Sequence, residues 1–259
     1  NWDGCWHDFK LDERTSRSYV MQINQLKNLL YEFGDNVRFE HDLKKKNWFN
    51  IGGKAKVFYK ANNLIELIEF LKKLEDKEKI FILGAGSNTL ITDNLFNGVV
   101  IKLSRDFNNI SLLNDEIVIA GSGVLDKTLS EFAMKNNLSG FEFLSCIPGT
   151  VGGGIKMNAG CFGNEFRDIL LSIQAIDKNG KVITISSKDI DFGYRNNNLP
   201  DNLIFLSASF KGIKSDYKKI NSQISRYKNE KEKNQPSKIK TSGSTFKNPI
   251  QQTKKKFGN

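Results

Sequence analysis

The chain has 259 residues with 39 Lys+Arg against 29 Asp+Glu, a formal net charge of +10, and 39% hydrophobic against 26% charged residues. That balance belongs to a globular protein and excludes disordered and fibrous classes, and the length suggests two domains that each bury a core. No apolar run approaches the ~20 residues needed to span a bilayer, and the charged N-terminal stretch has no apolar signal region, so neither a membrane span nor a secretory leader is expected.

The charge is uneven. Residues 211–259 carry 14 Lys/Arg and 3 Asp/Glu, while the preceding four-fifths are close to neutral. Such a tail invites a phosphate-bearing partner, but Lys outnumbers Arg 32 to 7, which fits solvated lysines better than a nucleic-acid surface. Cys5, Cys146 and Cys161 are scattered without a CxxC, and His7 and His41 are the only histidines. This spacing makes neither a disulfide framework nor a zinc site, so no metal is expected. Chemistry must then come from a cofactor, from carboxylates, or from Ser, Arg, Lys and Tyr.

In chain order, Ser18 to Phe33 has helical apolar spacing, Asn47 to Gly53 reads as a short strand broken by a diglycine, and Leu64 to Leu74 is an amphipathic helix. A strand at Lys79 to Leu83 runs into Gly84-Ala85-Gly86-Ser87-Asn88. Strands follow at Val99 to Leu103 and Glu116 to Ala120, then a helix at Leu125 to Met134 and a glycine-dense segment from Ser145 to Gly163. Strands at Val182 to Ser186 and Leu203 to Phe210 precede a charged helix from Tyr217 to Lys233. The pattern is α+β.

Four segments can carry chemistry. The turn after Leu83 exposes backbone N–H groups without side chains in the way, an anion cradle. A dinucleotide-binding Rossmann reading fails there, because TLITDNLFNGVVIKL follows where a helix should start. Residues 146–163 combine dense glycine with little charge, which requires close approach of the backbone to a neighbour, a flat or phosphorylated ligand being the first candidate. Phe192-Gly193-Tyr194-Arg195 places one of the scarce arginines before an Asn-rich turn. Ser242 to Pro249 clusters hydroxyls, a cation and an amide.

Taken together and in this order, NWFNIGG (47–53), GAGSNTLITD (84–93), IPGTVGGGIKMNAGCFG (147–163), FGYR (192–195) and GSTFKNP (243–249) resemble the UDP-N-acetylenolpyruvoylglucosamine reductase family, also called UDP-N-acetylmuramate dehydrogenases. The resemblance runs from about residue 25 to residue 255, in the family's shorter form. It implies an FAD-binding fold of the vanillyl-alcohol-oxidase type rather than a Rossmann fold, in two subdomains (25–112 and 113–212) after an unassigned arm (1–24). A smaller substrate-binding α+β subdomain (213–259) follows.

It also implies FAD and NADPH as cofactors and reduction of UDP-N-acetylglucosamine enolpyruvate to UDP-N-acetylmuramate in peptidoglycan precursor synthesis. The partner is then a UDP-sugar enolpyruvyl ether, with no nucleic acid or membrane, in a cytoplasmic monomer. By the same resemblance Arg195 and Ser244 are catalytic: Arg195 stabilises the charge developing at the substrate carboxylate, and Ser244 donates a proton. Tyr194, Lys247 and Asn248 contact substrate. The flavin is held by Ile51, by Gly84, Ala85, Gly86, Ser87, Asn88, Thr89 and Leu90, and by Ile147, Pro148, Gly149, Val151, Gly152, Gly153, Gly154, Asn158, Ala159, Gly160 and Gly163. The family's catalytic Glu is expected some forty residues beyond GSTFKNP and has no counterpart in these 259 residues. They are therefore expected to bind FAD but to turn over poorly, with a flavin-binding protein or fragment lacking full catalysis as the alternative.

Overall fold

A computed structural model describes residues 23–75 and 77–234. The expectations for Cys5, His7, Ser244, Lys247 and Asn248 fall outside these residues.

The chain enters as helix α1 (residues 23–29), passes a helical turn at Tyr31–Asn36 and forms β1 (Val37–Asp42). After β2 (Lys54–Ala61) come α2 (Leu64–Lys73), β3 (Ile80–Ile82) and β4 (Phe96–Leu103). These strands make one sheet in the order β1-β2-β4-β3, with β1 antiparallel to β2 and the rest parallel. Asn63 caps α2 by accepting the Glu66 N–H, and the helix buries Leu67, Phe70 and Leu71 on the sheet. There Phe70 stacks on Tyr59, with ring centroids 3.8 Å apart.

The second sheet begins with β5 (Ile110–Leu112) and β6 (Ile117–Gly121). Then come α3 (Asp126–Lys135), β7 (Leu138–Ser139), α4 (Val151–Lys156), β8 (Gly160–Cys161), β9 (Asn164–Glu165) and the single turn α5 (Phe166–Ile169). The rest of the sheet is β10 (Leu170–Ile176), β11 (Val182–Ser186) and β12 (Ile204–Lys211), and the described chain closes with β13 (Ile213–Lys214) and α6 (Tyr217–Asn234). Its order is β11-β10-β12-β6-β5, antiparallel throughout. Helix α3 and the segments around Phe141, Phe143 and Phe166 fill its core. Ile176, Ile204 and Leu206 of this sheet join the core of the first, so the two sheets share packing.

Several elements differ from the sequence reading: β1, β2, β5 and β10 stand where it reads no strand, and the helix read to Phe33 gives way to the turn at Tyr31–Asn36. Asn47 to Gly53 is not a strand: it is irregular chain following a helical turn at Lys44–Lys46. Asn50 (φ 55°) and Gly52 (φ 120°) take conformations that no strand ladder accommodates. The true strands on either side, β1 and β2, gave no clear sequence signal. In β2, Lys56 is 5% exposed and pairs with Glu78 at 2.7 Å, so a lysine stands where the pattern calls for an apolar residue.

Candidate functional site

The structure joins the motif segments pairwise. The 47–53 segment wraps the turn after β3. Trp48 N–H donates to the Gly86 carbonyl at 3.0 Å, and Gly53 N–H donates to the Thr92 carbonyl at 2.7 Å. The Asn47 side chain donates to the Leu43 and Ile51 carbonyls and so fixes this wrap from inside. Gly86 has φ +68°, and a Cβ there would lie 2.2 Å from the Lys46 carbonyl oxygen, so only glycine fits. No helix follows the turn, consistent with the rejection of a Rossmann site.

The turn itself is an open set of donors. The backbone N–H groups of Gly84 to Asn88 form no hydrogen bond with the described residues. Across from it stands the glycine-rich segment, where a Cβ on Gly84 would meet Thr150 Oγ1 at 2.6 Å. This segment is anchored to the end of β6. Val151 N–H donates to the Val124 carbonyl at 2.8 Å, and Gly152 N–H donates to the Ser122 carbonyl at 2.9 Å. Ser122 in turn donates from its hydroxyl to the Phe205 and Leu206 carbonyls of β12. One turn from each sheet therefore meets the other, with unpaired donors between them.

The glycines of 149–160 are occupied largely by the protein itself. A Cβ on Gly154 would stand 2.2 Å from the Phe166 ring, one on Gly152 would stand 2.9 Å from Ser122 Cβ, and one on Gly160 would meet the Asn164 carbonyl at 2.6 Å. Gly153 is different: it is exposed, and its Cβ would meet only Thr150 Oγ1, at 3.4 Å.

Asn158 connects this segment to Arg195. It is buried, with φ 41°. Its side-chain amide donates to Glu165 Oε2 at 2.7 Å and to the Gly193 carbonyl at 3.4 Å, and its oxygen accepts the Arg167 N–H at 3.2 Å. Gly193 closes a tight turn with Asn196 through reciprocal backbone bonds of 3.0 and 3.3 Å. Arg195 lies inside that turn with φ 55°, its guanidinium 5.5 Å from the ring of exposed Tyr194. A side-chain-bearing residue held in the left-handed region costs on the order of 1 kcal/mol and persists where the surroundings fix it. Asn50, Asn158, Phe162 and Arg195, all in the motif segments, share this strain.

Helix α6 leans on the same segment. Tyr227 stacks on Phe162 with centroids 4.3 Å apart, and Lys231 Nζ donates to the Cys146 carbonyl at 2.6 Å.

Two groups that carry charge near the motifs are not legible as motifs. Lys102 reaches from β4 to donate to the Gly84 carbonyl at 2.9 Å. Asp126 at the start of α3 is fully buried, and its Oδ2 would stand 2.5 Å from a Cβ on Gly149. Neither of its carboxyl oxygens has a hydrogen-bond partner among the described residues, and burial pushes its pKa well above the usual aspartate range. Among the described residues no cluster of His, Cys, Asp or Glu could hold a metal, and no helix is long and apolar enough to cross a membrane. Cys146 and Cys161 are free thiols.

The donor-rich turn, its lysine and the facing glycine segment fit an anionic dinucleotide rather than an apolar ligand. Comparison with known proteins agrees. Residues 55–186 match the FAD_binding_4 family, described as an FAD binding domain. The chain is 58% identical over 236 residues to UDP-N-acetylenolpyruvoylglucosamine reductase of Pelagibacter ubique, covering 91% of this chain and 78% of that one. The crystal structure of UDP-N-acetylenolpyruvylglucosamine reductase from Thermus caldophilus superposes with a TM-score of 0.73 at 30% identity, over 82% of this chain and 76% of that one. p-Cresol methylhydroxylase shares the fold, with a TM-score of 0.52 at 15% identity over 77% of this chain and 44% of that one. These findings bear out the α+β flavin-binding fold read from the motifs. The chain belongs to the UDP-N-acetylenolpyruvoylglucosamine reductase family of FAD-dependent oxidoreductases.

Proposed function

We propose that the protein reduces UDP-N-acetylglucosamine enolpyruvate to UDP-N-acetylmuramate with electrons from NADPH, in the cytoplasmic synthesis of peptidoglycan precursors. The observation that carries this reading is the joining of the motif turns to Arg195: the Gly84–Asn88 turn meets the 147–163 segment at Thr150, and Asn158 of that segment holds the Gly193–Asn196 turn. We read the two sheets as two flavin-binding subdomains, with the residues after β12 beginning a substrate-binding part.

FAD, when bound, supplies the hydride chemistry that no side chain of this protein offers. The N–H groups of Gly84 to Asn88 bind the diphosphate, with Ile51, Thr89 and Leu90 beside them. Gly153, exposed and without a Cβ, would admit the ring system, with Ile147, Pro148, Gly149 and Val151 around it in sequence. Arg195 presents a planar guanidinium to the substrate carboxylate, where negative charge grows as the double bond is reduced. Its turn, held by Asn158 through the Gly193 carbonyl, fixes the point of the backbone from which that guanidinium projects. Tyr194 beside it is placed to contact substrate. Ser244 delivers a proton to the ether-bearing carbon, with Lys247 and Asn248 next to it in sequence stabilising the resulting alkoxide and binding substrate.

The test is rapid-mixing spectroscopy of the NADPH-reduced protein with the enolpyruvyl substrate. Wild type is expected to reoxidise its flavin on mixing, while Arg195→Lys keeps its flavin spectrum and loses the reoxidation. Arg195→Lys reoxidising at the wild-type rate would remove Arg195 from the reaction.

A further inference from the structure

The turn after β3 carries backbone donors without a partner among the described residues and a lysine on one of its carbonyls. Lys102 Nζ donates to the carbonyl of Gly84, and that carbonyl shares its peptide group with the N–H of Ala85, one of the five open donors. A cation on the carbonyl oxygen draws electron density through the peptide and makes the N–H a stronger donor. Lys46 is a second cation close enough to Lys102 to lower its pKa. Its own carbonyl packs where a Gly86 Cβ would be, and its Nζ lies 5.3 Å from the centre of the Phe58 ring.

Neither ammonium forms an ion pair with a carboxylate among the described residues. Burial, and then Lys46, lowers the Lys102 pKa. A half-buried lysine next to another cation is costly to maintain without an opposing charge. An anion held by the donors of Gly84 to Asn88 would supply that opposing charge.

We infer that Lys102 is the counter-charge of the FAD diphosphate, acting through the Gly84 peptide from behind the turn. The inference rests on the flavin reading above and adds a residue that none of the motif segments contains. It makes the phosphates, rather than the flavin ring, the part of the ligand that Lys102 reads.

The experiment is titration of the full-length apoprotein with FAD and with riboflavin, followed by flavin fluorescence at low and high KCl, for wild type and Lys102→Met. The methionine keeps the aliphatic stem and removes the charge. FAD Kd is expected to rise about tenfold or more in the variant, about one power of ten for each 1.4 kcal/mol of lost attraction. Its dependence on KCl should flatten, and riboflavin affinity should stay at the wild-type value. The melting temperature of apo Lys102→Met should equal or exceed that of wild type, since an uncompensated charge has been removed. Equal weakening of FAD and riboflavin with a lower apo melting temperature would make Lys102 a brace of the turn and overturn the inference. So would an unchanged FAD Kd in a variant whose parent binds FAD. A wild-type chain that takes up no FAD would overturn the flavin reading itself.

Discussion

Replacing Gly154 with alanine separates glycines that pack the protein from glycines that admit a ligand. The new Cβ would lie 2.2 Å from Phe166 Cε2 and 2.5 Å from Cζ, whereas carbon atoms in contact sit about 3.5–4.0 Å apart. Phe166 is fully buried and packs edge-on against Phe143 and Phe210, with centroids 6.3 and 6.0 Å away, so its ring cannot yield freely. Overpacking of this kind costs about 1–3 kcal/mol. Alanine in a helix returns at most ~1 kcal/mol over glycine, and α4 is too short to realise all of that. The net loss is about 1–2 kcal/mol, and at ~2–4 °C per kcal/mol for a chain of this size the apoprotein should melt about 2–8 °C lower. Thermal unfolding followed by circular dichroism reads this directly. Gly153→Ala, whose Cβ meets only Thr150 Oγ1 at 3.4 Å, should melt as wild type does and show any defect in FAD affinity instead. Gly154→Ala/Phe166→Leu should recover part of the loss. A Gly154→Ala protein that melts at or above the wild-type temperature would refute the packing argument.

Asn158→Ala removes three hydrogen bonds and leaves alanine at a positive φ. Stability should fall by about 1–3 kcal/mol, and substrate turnover should fall further than FAD affinity, because the Arg195 turn loses its brace. Equal losses in both would show that the residue serves the fold alone. Asp126→Asn tests the buried carboxyl. Because burial raises the Asp126 pKa, the folded chain holds that proton more tightly than the unfolded one. Stability from this group is present at pH below the usual aspartate value and is lost as pH rises through the raised one. The asparagine variant should gain on wild type between pH 5 and pH 8, by about 1.4 kcal/mol for each unit of the raised pKa crossed in that interval. Parallel melting curves across that range would contradict the assignment.

The sequence shows three strands of the second sheet (β6, β11 and β12) and the longer helices, but not β5, β10, α4 or α5. Val182 to Ser186 forms β11, and Leu64 to Leu74 and Tyr217 to Lys233 form α2 and α6 to within a residue, because their apolar periods are uninterrupted. β2 escapes for a local reason, since Lys56 is buried by pairing with Glu78 across the fold. The aromatic and β-branched residues of Asn47 to Gly53 imitate a strand, but Asn50 and Gly52 sit at positive φ. The motif segments are legible one at a time, and their glycines correctly signal close approach. What each glycine approaches is not local information: Gly154 meets Phe166, twelve positions on, and Gly84 meets Thr150, just before α4. Lys102 and Asp126 are likewise invisible in one dimension. One is an ordinary strand lysine and the other an ordinary first-turn aspartate until the fold sets them against Gly84 and Gly149.

The central claim is that the turn after β3 and the 147–163 segment hold a flavin by its diphosphate. Flavin content tests it most directly: the purified full-length protein is denatured, and the released flavin is identified and counted by chromatography, with or without prior incubation in a mixture of FAD, FMN and riboflavin. One FAD per chain, in preference to FMN and riboflavin, is the predicted result. A protein that takes up no flavin, or that retains riboflavin as well as FAD, would contradict the account.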